Sequence, residues 1–169
     1  MTKAKRDLVG ALAATCGERF PEWDTEALIL SMRLGHIARQ QQARCEEISD
    51  RHGMGPAGFL TMALLATAPE GEGLTPGDLM DCMDCPSGTV THRLNLLERA
   101  GLLRRQVDPA DRRSFRLHIT PLGLEKLEAS AGEYFAALRE PFGKLTRAER
   151  QTLEALLRKA GGGLKCQPT

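Results

Sequence analysis

Two cysteines three residues apart, in Cys82-Met83-Asp84-Cys85, are the residues of this sequence best spaced for chemistry. Such a C-x-x-C pair can supply half of a zinc site or exchange thiol for disulfide. A zinc ribbon needs a second pair, and Cys16, Cys45 and Cys166 stand alone. A thioredoxin-like site places the motif at a helix start after a strand, whereas this one falls at the end of a short helix with no strand before it. Small apolar filler in a helical core is the plainer reading of Cys82 and Cys85. A thiol-based redox sensor, with Cys16 as a further candidate, or a redox enzyme using Cys82 and Cys85, is kept as the alternative. His36, His52, His92 and His118 are scattered, and neither a phosphate-cradling Gly-rich loop nor a nucleophile elbow is present. No catalytic residue, metal ligand set or cofactor emerges, and the chain is not read as an enzyme.

A second set of residues points to phosphate. Residues 86–120 carry Arg93, Arg99, Arg104, Arg105, Arg112, Arg113 and Arg116 against Glu98, Asp108 and Asp111, a local charge of +4 in a chain whose net charge is +1. A compact basic segment within a mildly acidic body suits a polyanion. Five cysteines at irregular spacing fit reduced thiols and a cytoplasmic setting better than a disulfide framework. Lys3, Lys5 and Arg6 before Leu8–Cys16 have the outline of a lipoprotein leader, but the apolar stretch is short, carries Gly10 and follows Asp7. No run approaches membrane-spanning length, and no membrane partner is expected.

The elements that must position these residues are mainly helical. With 41% apolar residues, one Trp, one Tyr and five Phe, the core has to be built from Leu, Ala, Ile and Met. Residues 6–18 form a first helix, broken by Gly17 and Pro21. Asp24 caps a long helix from Thr25 to about Asp50, its seam running through Leu30, Leu34, Ile37, Gln41, Cys45 and Ile48. Phe59–Ala68 is apolar nearly all round and should be buried. Thr75-Pro76-Gly77-Asp78 is a capping sequence for a short helix to Met83. Pro86 opens the next, running to Ala100, with Gly101 placed to end it in the left-handed conformation. Leu103–Val107 and Ser114–Ile119 then read as two short strands across a turn. Thr120-Pro121 starts a long helix to about Glu140, and Thr146–Glu149 is a capping box for a last one, stopped by Gly161–Gly163. The fold class is mainly α with a small β-wing: a winged helix-turn-helix over 53–120, flanked by helices over 1–52 and 121–169.

On the helix opened by Pro86, Val90, Leu94 and Leu97 share the face that packs inward. The opposite face carries Gly88, His92, Asn95 and Arg99, flanked by Ser87 and Thr91, which are short or polar residues suited to a groove. Asn suits adenine, and Arg suits guanine or phosphate. Gly101-Leu102-Leu103-Arg104-Arg105, Asp108-Pro109-Ala110-Asp111-Arg112-Arg113 and Leu117-His118-Ile119-Thr120-Pro121-Leu122-Gly123 together resemble the MarR family of winged-helix regulators. Leu74-Thr75-Pro76 and Thr91-His92-Arg93-Leu94 fit it too, and the resemblance spans about residues 56–123. It implies a homodimer whose paired recognition helices enter successive major grooves of a near-palindromic double-stranded operator. Arg112 and Arg113 at the wing tip would reach the flanking minor grooves, with Asp108 and Asp111 ordering the wing. Repression relieved by a ligand is the family default.

Phe20-Pro21-Glu22-Trp23-Asp24 before a long helix is similar to relatives with an extra first helix, some of which respond to urate. Trp23 and Arg93 match the ligand residues of those relatives, while Leu60 stands where they have an acidic residue. The implied effector is a small aromatic or phenolic anion, with Trp23, Arg33, His36 and Arg93 as candidate contacts. The bland reading makes Trp23 a packing anchor and Arg33 one half of a surface ion pair.

Overall fold

The computed structural model describes residues 7–55, 57–69, 71–83, 86–108 and 114–161. Their elements run α1 (Leu8–Arg19), α2 (Thr25–Arg51), α3 (Gly58–Thr67), α4 (Pro76–Met83), α5 (Ser87–Arg99), β1 (Leu103–Val107), β2 (Phe115–Ile119), α6 (Pro121–Arg139) and α7 (Arg147–Gly161), with a 3-10 turn at Glu140–Phe142. The chain divides into two compact units, residues 1–43 and 44–169, the division falling within α2.

In the first unit, local caps fix the helix starts. The Asp7 carboxylate accepts from the Gly10 amide at 3.2 Å, and that of Asp24 accepts from the Ala27 amide at 2.9 Å. Each satisfies an amide that the first helical turn leaves without a partner.

The second unit is a winged helix. Its core gathers Phe59, Met62 and Leu65 of α3 with Leu79 of α4, Val90, Leu94 and Leu97 of α5, Leu102, Leu103, Leu117 and Leu127. The face of α3 that carries Leu60 is 42% exposed at that residue, so the expectation of a helix buried all round is corrected to one buried face. Thr75 and Asp78 close the reciprocal box that opens α4: the Asp78 amide donates to Thr75 Oγ1 at 3.2 Å and the Thr75 amide to Asp78 Oδ2 at 2.7 Å. Thr146 and Glu149 do the same for α7. β1 and β2 pair antiparallel, with Arg105 opposite Leu117 and Val107 opposite Phe115. Leu74 adds a short third rung by exchanging two backbone hydrogen bonds with Leu117.

Gly101 ends α5 with φ of +72°, the left-handed cap that its position predicts. Gly123 serves packing instead. A Cβ there would overlap the Leu102 carbonyl oxygen and Met62 Cε, so only glycine lets α6 lie against the base of the wing. Gly123→Ala should therefore destabilise the protein by about 1–3 kcal/mol or more, since the obstruction is partly backbone. Urea unfolding measures this, and an unchanged midpoint would contradict the packing account.

Candidate nucleic-acid interface

α4 and α5 form the helix-turn-helix. Val90, Leu94 and Leu97 hold α5 by its inner face, which leaves Ser87, Gly88, Thr89, Thr91, His92 and Arg99 exposed on the remainder. The structure thus brings five of the six residues expected on that helix to one accessible surface. Pro86 departs from expectation by one position. It is the N-cap, with ψ of 145° and no capping side chain, and the helix proper begins at Ser87 and ends at Arg99. Small residues at its first turn leave that end open for backbone amides to meet an anion.

Asn95, the sixth, is half-buried and engaged. Its Oδ1 accepts a 2.6 Å hydrogen bond from Arg105 Nη2 of β1. Arg105 Nε also lies 3.3 Å from Glu98 Oε2, and its guanidinium sits over the Phe115 ring, 4.8 Å from the centroid. Arg105 has no place among the residues singled out from sequence. The signal that would have found it is strand alternation, which puts Arg105 on the same face as the buried Leu103 and hence toward α5.

The wing is braced from inside. Asp108 is 6% exposed and takes a 2.8 Å ion pair from Arg116 Nε, while Arg116 Nη1 donates to the Glu72 carbonyl oxygen at 3.3 Å. Asp108 therefore orders the strands, as expected. Arg112, Arg113 and Asp111 lie outside the described residues. His118 of β2 lies over Gly73, where an added Cβ would come within 2.7 Å of Cε1. Burial, then the charges of Arg104 and Arg116, hold its pKa below the ordinary 6.5. The fold thus favours neutral imidazole, so the stability it contributes is complete above about pH 6.5 and is lost as pH falls through the lowered folded-state pKa. Wild-type thermal midpoints should decline more steeply between pH 7 and 5 than those of His118→Gln. Equal slopes would refute this.

Comparison with known proteins decides what carries this geometry. A model of the MarR family matches residues 52–114. The helix-turn-helix regulator YkoM of Bacillus subtilis, itself uncharacterised, is 34% identical over 113 residues, 67% of this chain and 71% of that protein. The chain belongs to the MarR family. A candidate transcriptional regulatory protein for the hcr operon of Thauera aromatica is 30% identical over 128 residues, covering 76% of this chain and 75% of its own. A mutant E. coli MarR complexed with operator DNA has the same fold, with a TM-score of 0.70 at 21% identity, covering 86% of this chain and 97% of that one.

As a MarR-family member the protein is a DNA-binding transcriptional regulator rather than an enzyme. The family is dimeric, and its characterised homologues bind DNA operators. No described helix is long and apolar enough to cross a membrane. Among the cysteines, Cys16 and Cys45 are free thiols while Cys82 is disulfide-bonded, which corrects the expectation of reduced thiols throughout. Cys85 lies outside the described residues. Burial pushes the Cys45 thiol up, away from the reactive thiolate, and burial together with Cys45 pushes its neighbour Tyr134 up to about 12.

The candidate effector residues fall in separate units. In the first, Trp23 is 53% exposed and stacks on Phe20 with ring centroids 4.1 Å apart, so it is no buried anchor. Arg33 Nη2 is ion-paired to Asp7 at 2.6 Å on the surface, and His36 is exposed. Arg93, in the second unit, is half-buried on the flank of α5.

Proposed function

We propose that the protein is a homodimeric repressor that places two copies of α5 in successive major grooves of a near-palindromic operator and releases it on binding a small aromatic or phenolic acid. The observation that carries the DNA part is the division of α5 into a buried face of Val90, Leu94 and Leu97 and an accessible face of Ser87, Gly88, Thr91, His92 and Arg99. Such a helix is held rigidly by its core side while its outer side stays available to base edges and phosphates. Arg112 and Arg113 are the wing contacts in this reading.

The dimer is supported by apolar surface that a single chain leaves uncovered. No residue of α7 is buried, and Leu156 and Leu157 are 58% and 41% exposed. Beside them, Phe135, Leu138, Arg139, Phe142 and Arg150 line an open cavity of about 430 Å3. A stripe of this kind suits a second copy of the chain, with the flanking helices of 1–52 and 121–169 as the joining arms.

The effector reading rests on the exposed face of Trp23 and on Arg33, whose partner Asp7 an incoming carboxylate would have to displace. The test is a gel shift with promoter fragments selected from genomic DNA, followed by titration of aromatic and phenolic acids. Retarded bands that disappear on titration, with a matching change in Trp23 emission, are expected. Release that persists in Trp23→Phe and Arg33→Ala variants would place the effector elsewhere, and failure to retard any fragment would overturn the repressor.

A further inference from the structure

Resting on the reading of α5 as the recognition helix, we infer that Arg105, a residue of β1, determines which base edge that helix reads by fixing the amide of Asn95 so that its NH2 group is the half left for DNA. The guanidinium carries hydrogen-bond donors only, so the atom facing it across 2.6 Å must be the Asn95 oxygen. The amide orientation is thereby imposed from the wing rather than chosen by the DNA. The guanidinium is itself held from three sides, by Asn95 and Glu98 on adjacent turns of α5 and by the Phe115 ring on β2. Its Nε is buried and lacks a hydrogen-bond partner among the described residues, which leaves the Asn95 bond, the Glu98 charge and the aromatic face to anchor it.

The consequence concerns base choice. An Asn that reads adenine uses both ends of its amide, accepting from N6 and donating to N7. Asn95 has its acceptor drawn into a charge-assisted bond and offers a donor. A donor alone matches acceptors, and guanine presents two in the major groove, N7 and O6. The residue type that suggests adenine from sequence therefore selects guanine in this setting, and the cause sits ten residues away on another element.

The experiment is selection of binding sites by the full-length protein from a pool of randomised duplexes, for the wild type, Asn95→Asp and Arg105→Met. The wild type should enrich guanine at one position per half-site. Arg105→Met keeps an apolar stem against Phe115 but frees the Asn95 oxygen, and preference at that position should move to adenine by about tenfold. Asn95→Asp retains an acceptor for Arg105 but has no donor, so guanine should be lost there and cytosine, whose N4 donates, gained. Adenine already selected by the wild type and unaltered in Arg105→Met overturns the inference, as does an Asn95→Asp profile identical to the parent's. Should Arg105→Met fail to fold, Asn95→Asp decides alone. Enrichment of no sequence by the folded wild type removes the recognition-helix reading, and this inference with it.

Discussion

A full-length variant carrying Leu156→Glu and Leu157→Glu should behave as a folded monomer that binds operator about 10^2–10^4-fold more weakly than the parent. Both leucines lie exposed on α7, none of whose residues is buried within the chain, so the glutamates remove nothing from the monomer's own core. What they destroy is the apolar stripe that a second copy would cover, by forcing carboxylates into a surface that has to be desolvated. A monomer engages one half-site at a time and forfeits the effective concentration that the first recognition helix provides for the second. Light scattering reads the mass and gel shift reads the affinity. Removal of residues 1–50 or 142–169 should act in the same direction, but the point variants separate loss of pairing from loss of fold. A variant that stays dimeric with full affinity would move the interface off α7.

The second large effect concerns the wing. Arg112→Ala and Arg113→Ala should each weaken operator binding about 10- to 100-fold, the cost of one lost charge-assisted contact. Each should also flatten the dependence of log affinity on log salt by about 0.9, because one fewer counterion is released. Thermal stability should hardly change. The strands that carry the tip are braced by the Asp108–Arg116 pair and by the Leu74 rung, neither of which involves these arginines. His92→Ala, from the exposed face of α5, should instead relax base preference at particular operator positions with a smaller loss of affinity. Wing variants with unaltered salt slopes would remove Arg112 and Arg113 from the interface.

The contrast between what the sequence discloses and what it hides follows the range of the interactions. Helix starts are written locally: Asp24, Thr75, Thr120 and Thr146 each bond an amide three residues ahead, so their side chains announce the elements before any packing is known. Gly101 likewise carries its left-handed cap in its identity. The inner face of α5 is legible because Val90, Leu94 and Leu97 repeat at helical spacing. Pro86 was less readable, since the same residue suits the first helical turn and the N-cap, and only its ψ angle separates the two. Contacts between elements leave no such trace. The Arg105–Asn95 bond spans ten residues and two elements, and nothing in the local pattern distinguishes Arg105 from its exposed neighbour Arg104 except alternation with Leu103. The disulfide at Cys82 was hidden by the same limit, because spacing in a sequence states which thiols are near along the chain and not their redox state.

The central claim is that a dimer of this chain reads DNA with α5 in the groove and the wing beside it. Hydroxyl-radical footprinting of the intact protein on a selected genomic fragment tests it most directly. The account predicts two protected half-sites related by two-fold symmetry, with centres about 10 bp apart and flanking protection that disappears in the Arg112→Ala, Arg113→Ala double variant. A single asymmetric footprint, or none at concentrations where the protein is folded and dimeric, would contradict it.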